Sequence, residues 1–144
     1  MDDALIGTWR LRSHQVEDRA TGARIEPFGS DPSGVLIVLP DGRMSALITP
    51  DPSAEAATGP APIVSYSGQC RVPSPGRFVT TVDIAWLPAW VGTEQERSYT
   101  VTGDRLELST APARMPGAGE PESRVGLMVW VRETTTVASG GASD

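Results

Sequence analysis

The sequence predicts an all-β protein, a closed or nearly closed up-and-down antiparallel β-barrel of about eight strands. Three observations predict it. Apolar residues alternate with period two along most of the chain, and no stretch carries a helical stripe. Turn signals recur between the alternating runs. Gly7-Thr8-Trp9 in the first run is answered near the far end by Val129-Trp130-Val131-Arg132, as suits a first and a last strand that meet and close a barrel.

The strands follow in order: Ile6–Val16, Gly34–Leu39, Arg43–Thr49, Val64–Val72, Arg77–Leu87, Glu94–Thr102, Arg105–Thr110 and Arg124–Glu133. Asp31-Pro32-Ser33-Gly34 precedes the second, and Pro40-Asp41-Gly42 separates the second from the third. Pro73-Ser74-Pro75-Gly76 and Thr102-Gly103-Asp104 mark two later turns. Asp41-Gly42 and Gly103-Asp104 suit tight hairpins, because these residues tolerate positive φ. Two stretches break the pattern. Pro50–Pro62 is rich in Ala, Pro and Gly and reads as a loop with one helical turn at Ser53–Ala57; Ala111–Ser123 is similar. Loops of this length are often lids or disordered spans. The barrel accounts for residues 1–133, and the tail 134–144, ending Ser-Gly-Gly-Ala-Ser-Asp, is expected to be disordered.

A chain of 144 residues suits one domain. Hydrophobic residues make up 39% and charged residues 21%, as in soluble globular proteins. The net charge is −6, and all 12 basic residues are Arg. An acidic chain without a basic stripe is poorly suited to nucleic acid or an anionic membrane. No apolar run approaches the ~20 residues that span a bilayer. Met1-Asp2-Asp3 lacks a signal-peptide pattern, so the expected location is cytoplasmic. One Cys and one His cannot build a typical zinc site, so no metal is expected. There is no Gly-rich phosphate loop and no Ser-centred nucleophile elbow, and the chain is too small for a nucleotide-binding α/β domain. No cofactor is expected.

Four stretches resemble the bacterial and fungal lipocalin-like domain family. They are Leu5-Ile6-Gly7-Thr8-Trp9-Arg10-Leu11; Pro27-Phe28-Gly29-Ser30-Asp31-Pro32-Ser33-Gly34 with Leu36-Ile37; Pro40-Asp41-Gly42-Arg43-Met44-Ser45-Ala46; and Pro88-Ala89-Trp90-Val91-Gly92-Thr93-Glu94-Gln95 with Arg97, followed by Gly103-Asp104-Arg105-Leu106. Their order and spacing cover most of residues 5–133. The resemblance implies a lipocalin-like barrel with an internal cavity; the family has no single activity. Two departures stand out. The chain is short between Pro50 and Gly68, and the strand before Pro88-Ala89-Trp90 reads Thr80-Thr81-Val82-Asp83, where the family often carries a His.

Alternation in Glu94–Thr102 puts Glu94, Glu96, Ser98 and Thr100 on one face and Gln95, Arg97, Tyr99 and Val101 on the other. The acidic face belongs outside, so Arg97 and Tyr99 point inward. A buried guanidinium needs a partner, and Asp83, taken as inward with Val79, Thr81 and Ala85, is the candidate. Two readings stay open. Arg97 either binds a ligand oxygen or developing negative charge, or pairs with Asp83 and plugs the barrel. Arg97, Tyr99 and Asp83 are thus the candidate catalytic set. Ser13, Met44, Tyr66, Thr81, Trp86, Trp90, Gln95 and Met128 are the candidate ligand-binding residues. Trp86 and Trp90 can stack on a flat ligand at the cavity mouth or cap the core. Tyr66 can donate a hydrogen bond, and Met44 and Met128 suit an irregular apolar pocket. Trp9 closes the base, with Arg132 over its ring. His14 shares the face of Arg10 and Arg12, so it reads as outward and wet. Cys70 reads as an inert buried thiol.

These features fit a cofactor-independent cyclase or isomerase that folds a hydrophobic, polyketide-like natural-product intermediate inside the barrel. They fit equally a non-catalytic carrier of an apolar metabolite. A scaffold whose barrel is filled by its own side chains is the third reading. The partner in the first two is a hydrophobic small molecule, and the outer sheet face leaves room for a homodimer.

Overall fold

The computed structural model describes residues 1–52, 63–110 and 124–134. Among the described residues, nine strands follow the sequence: β1 (Gly7–Asp18), β2 (Arg24–Ile25), β3 (Ser33–Val38), β4 (Arg43–Thr49), β5 (Val64–Ser74), β6 (Arg77–Ala85), β7 (Glu94–Thr102), β8 (Arg105–Thr110) and β9 (Arg124–Arg132). All neighbours are antiparallel, in the order β1-β3-β4-β5-β6-β7-β8-β9, and β9 returns to β1. The result is a closed eight-stranded barrel, to which β2 adds a short strip paired with Val16 and Glu17. Closure leaves no long unpaired edge. Three predicted strands keep their bounds: β4, β7 and β8. The two-residue β2 was not predicted, because two residues leave no alternation to read.

Hairpin chemistry sets the register. Gly42, Gly76 and Gly103 all take positive φ, at 95°, 79° and 60°. Gly103-Asp104 joins β7 to β8 directly, since Thr102 faces Arg105. Pro75-Gly76 joins β5 to β6 in the same way, since Ser74 faces Arg77.

One end of the barrel is sealed by the chain's own start. A 3-10 turn at Asp3–Leu5 buries Leu5 across the base. Trp9 is fully buried, and its Nε1–H donates to the Leu5 carbonyl at 3.0 Å. Arg132 lies over the Trp9 ring at 4.2 Å, as expected for a cation–π seal. Its guanidinium also donates to the carbonyls of Ile6 (2.8 Å) and Ala4 (3.1 Å). Gly7 explains itself here. Its φ is +139°, and a Cβ would stand 2.6 Å from Arg132 Nη1. The Gly-x-Trp pattern therefore reserves space for the arginine that closes the barrel.

Strand pairing shifts register at three points among the described residues, and two of them bear on the predicted site. On β1, Leu11 faces Trp130 and Ser13 faces Val129, so Arg12 has no partner on β9. On β6, Gly68 faces Val82 and Ser67 faces Ile84, so Asp83 is the extra residue. Gly68 sits where a Cβ would fall 2.1 Å from the Thr81 carbonyl oxygen, a close approach that only glycine allows.

The connections 53–62 and 111–123, and the tail 135–144, lie outside the described residues. So do the helical turn expected at Ser53–Ala57 and the lid or disorder expected of those stretches. Among the described residues, no helix is long and apolar enough to cross a membrane.

Candidate functional site

The end of the barrel opposite Trp9 holds a cavity of about 270 Å³. Its walls are mostly apolar: Leu36 from β3, Met44, Ala46 and Ile48 from β4, Val64 from β5, Phe78 from β6, Leu108 from β8 and Met128 from β9. Ile25 and Pro27 close one side of the mouth, and Trp130 lies toward the floor. Polar groups enter at few points: His14, Tyr66, Arg97, Thr110 and Arg124. Thr110 is already engaged, since its Oγ1 accepts from the Gly126 N–H at 2.8 Å. A mostly apolar hollow with a small number of convergent polar groups is the usual form of a small-molecule site.

Arg97 is inward and buried, at 7% exposure. Its Nη1 donates to the Glu96 carbonyl at 2.9 Å and its Nη2 to Gln95 Oε1 at 3.1 Å. Gln95 Nε2 donates in turn to Thr93 Oγ1 (3.1 Å), which donates to the Trp90 carbonyl (2.6 Å). This chain fixes the guanidinium and uses only part of its donor fork. Among the described residues, no carboxylate forms an ion pair with Arg97. Gln95 is thus a residue that positions Arg97 rather than one that lines the cavity.

The expected Arg97–Asp83 pair is not formed. Asp83 is exposed on the outer surface, where it accepts from Arg43 Nη1 at 2.9 Å. That arginine holds the Asp83 carboxyl below its ordinary range. The phase of β6 is opposite to the expected one: Phe78, Thr80 and Val82 point in, and Thr81 and Asp83 point out. Because strands alternate, a one-residue error in phase moves every side chain to the other face. Thr81 therefore meets Arg71 outside, not a ligand inside.

Tyr99 is inward but sits at the sealed end, beside Phe78 at 5.6 Å between ring centroids. Its hydroxyl donates to the Asp2 carboxylate. Burial first, and then the Asp2 hydrogen bond, pushes its pKa up to about 12. The structure therefore separates Arg97, Tyr99 and Asp83 into three environments.

The other candidates divide. Met44, Tyr66 and Met128 line the cavity. Trp90 is buried behind it, with its ring edge-on to Tyr66 at 5.8 Å. Trp86 is 68% exposed and lines a surface groove with Leu47 and Ile84 rather than the cavity. Ser13 lines a polar groove on the outside of β1 and β9 with Gln15 and Val129. Cys70 is buried, and burial pushes its thiol pKa up, as expected of an unreactive core cysteine. Among the described residues, no group of three or more His, Cys, Asp and Glu could hold a metal ion.

His14 departs from expectation in the opposite sense. It faces the cavity, not the solvent. The bulge at Arg12 reverses the alternation, so His14 and Val16 share the inward face of Trp9 and Leu11. Its ring stands edge-on to Phe28 at 4.9 Å. Its Nδ1 is buried without a hydrogen-bond partner. Burial, aided by the nearby Arg97 charge, lowers its pKa from 6.5 to about 4, so the ring is neutral at physiological pH. A signal was present in the sequence. Leu11 and Val16 are both apolar at an odd spacing, which one unbroken strand cannot bury on one face.

The profile of the lipocalin-like domain matches residues 6–133, nearly the whole of the barrel. The chain belongs to the lipocalin-like domain family. A curated relative is the 4'-hydroxy-3'-methoxypropiophenone carrier protein ppsC of Aspergillus oryzae. It is 41% identical over 54 residues, which is 33% of this chain and 49% of that protein. This lipocalin-like chain thus matches about half the length of that relative.

Proposed function

We propose that this lipocalin-like barrel binds and carries a small, mostly apolar molecule, anchored by one oxygen atom on Arg97. The observation that carries the reading is the guanidinium itself. It is buried at an apolar cavity, oriented by Gln95, and without a carboxylate partner among the described residues. A buried cation left without a counter-charge is costly, so a ligand carbonyl or phenolate facing it would be strongly favoured. The volume, about 270 Å³, lies below the ~300–1,000 Å³ of sites for drug-sized ligands, which argues for a compact molecule. The relative named as a carrier of a substituted propiophenone supports an aryl ketone as the first class to test.

Native mass spectrometry with 4'-hydroxy-3'-methoxypropiophenone is the direct test. A one-to-one adduct is expected, and solvent extraction should return the ketone unchanged. Arg97→Met should weaken binding by about 10- to 100-fold, the value of a charge-assisted hydrogen bond. Wild type that forms no adduct with this ketone or with other aryl ketones would refute the reading.

A second reading is a cofactor-independent isomerase or cyclase of polyketide-like intermediates. One observation favours it: a neutral imidazole and a guanidinium line the same cavity. Such a pair can accept a proton and stabilise the resulting enolate. Recovery of an isomer of the added compound, absent without protein, would decide for it.

A further inference from the structure

We propose that the cavity takes its ligand as an anion: an acidic aryl hydroxyl, ionised and seated on Arg97. The inference rests on the small-molecule reading above and adds the charge state of the bound species.

Arg97 spends Nη1 and Nη2 on the Glu96 carbonyl and on Gln95 Oε1, both neutral acceptors. Most donors of the guanidinium fork therefore remain. Its Nε–H makes no hydrogen bond among the described residues and, unlike His14 Nδ1, is not shut off from its surroundings. The carboxylates of the adjoining strands all face away. On β7 itself, Glu94 and Glu96 point outward to Arg71 and Arg77. On β6, Asp83 pairs with Arg43 at 2.9 Å, and on β8, Glu107 pairs with Arg105 at 2.8 Å. The chain holds 18 Asp and Glu, yet none is among the described residues that line the cavity. The titratable and charged groups that do line it are His14 from β1, Tyr66 from β5, Arg97 from β7 and Arg124 from β9. An acidic protein thus keeps its carboxylates out of a hollow that holds a buried guanidinium.

Two kinds of ligand oxygen suit Arg97, and charge decides between them. A neutral ketone oxygen accepts a hydrogen bond but leaves the buried net charge in place. An anion removes it, and a hydrogen bond between two ions is about twice as strong as a neutral one. An opposite charge within about 4–6 Å lowers an acid's pKa by about 1–3 units, and burial of the anion takes back only part of that. The acid must also ionise close to neutral pH. An ordinary phenol has a pKa of about 10. A hydroxyl para to a ketone is more acidic, because the ring spreads its negative charge onto the carbonyl oxygen. On binding, the hydroxyl proton passes to solvent and the phenolate oxygen accepts from the guanidinium. The ligand class is therefore an aryl ketone with a conjugated, acidic hydroxyl, and the phenolate oxygen, not the ketone, sits on Arg97.

The test uses the full chain with 4'-hydroxypropiophenone and, as a probe that cannot ionise, 4'-methoxypropiophenone. The phenol and phenolate forms of the first differ in absorbance, so its ionised fraction is read directly, free and bound, between about pH 6 and 9. This window lies above the titration of His14, whose pKa burial lowers to about 4. Bound to wild type, the hydroxyl should ionise at least about one pH unit lower than in free solution, a tenfold preference for the anion. Its affinity, measured by titration calorimetry, should rise with pH between the bound and the free pKa and level off above the free value. The methoxy probe should bind independently of pH, and at least about tenfold more weakly at the upper end of the window. Arg97→Met should abolish the shift or reverse its sign. Arg97→Lys keeps the charge and should retain part of it. Circular dichroism checks that each variant folds; should Arg97→Met fail to fold, the two probes on wild type still decide. A bound hydroxyl that ionises at the same pH as in free solution or higher, or a shift that persists in folded Arg97→Met, would overturn the anion proposal and leave a carrier of neutral ketones standing. If neither probe binds wild type, the carrier reading for aryl ketones fails, and the anion proposal fails with it.

Discussion

The imidazole of His14 faces the cavity because Arg12 has no partner on β9. Its burial has a consequence for stability that can be measured without a ligand. The folded pKa is lowered to about 4 from 6.5, so between these values the unfolded chain binds a proton that the folded chain refuses. Stability must then fall as the pH falls through that window, and the contribution is complete above pH 6.5. The full shift corresponds to at most about 3 kcal/mol, and less for a ring that keeps some exposure. Urea denaturation of wild type and His14→Gln at pH 7, 5.5 and 4 would measure it. Wild type should lose stability faster than the variant on acidification, by about 1–2 kcal/mol across the window. Parallel curves would mean that the ring titrates as if in water. Tyr99 behaves differently at the same scale. Its raised pKa stabilises the folded state below about pH 10, and that contribution is lost as the pH climbs toward about 12.

At the scale of elements, the β1 bulge and the phase of β6 decide what faces what. Arg12 is exposed and forms no hydrogen bond or ion pair among the described residues, and strand pairing is continuous on either side of it. Deleting Arg12 should therefore straighten β1 and join Leu11 directly to Ser13, with His14 still inward. The melting temperature should move by a few degrees at most, which corresponds to about 1 kcal/mol or less. The His14 resonances should still titrate well below pH 6.5 in an NMR series. A midpoint restored to the ordinary histidine value would show that the bulge itself holds the ring inside. The same two features also explain which parts of the molecule were legible in the sequence. Hairpins were readable, and the bounds of the eight predicted strands to within two residues, because Gly42 and Gly103 mark turns and β7 alternates without interruption. The inward placement of Arg97 followed from that clean alternation. His14 was misplaced because one unpaired residue in β1 breaks the count, and Thr81 and Asp83 because the phase of β6 was set one residue off. Pairing with Asp83 was inferred from the need of Arg97 for a counter-charge, and that need fixes no phase. Phe78 held the missing clue: a large aromatic in β6 belongs inside, on the face opposite to Asp83 in the observed phase.

Across the whole barrel, the two ends do different work. The sealed end is filled by Leu5, Trp9 and Leu106, each 1% exposed or less. The open end is hollow and carries Arg97 and His14. Eight strands enclose just enough space for this division, since a barrel of this size either fills with side chains or holds one small ligand. Stability and affinity should therefore separate by position. Leu106→Ala removes a fully buried side chain that does not line the cavity, and should cost about 2–5 kcal/mol. Ligand affinity of the folded fraction should stay within about threefold, because no wall of the cavity changes. Ala46→Leu does the reverse. Ala46 lies on the cavity wall between Leu36 and Tyr66, so the added carbons enter empty space instead of a packed core. That variant should melt at or above the wild-type temperature, since filling a cavity commonly adds about 0.5–2 kcal/mol. It should also bind an aryl ketone at least tenfold more weakly. Thermal melts with and without ketone separate the effects: Leu106→Ala should lose baseline stability but keep the ligand-induced increment, which mass action sets near 2.7 kcal/mol at about 100 times the dissociation constant. Ala46→Leu should keep the baseline and lose the increment. If both variants lost both, the barrel would be one coupled core, and the cavity would be an incidental packing gap.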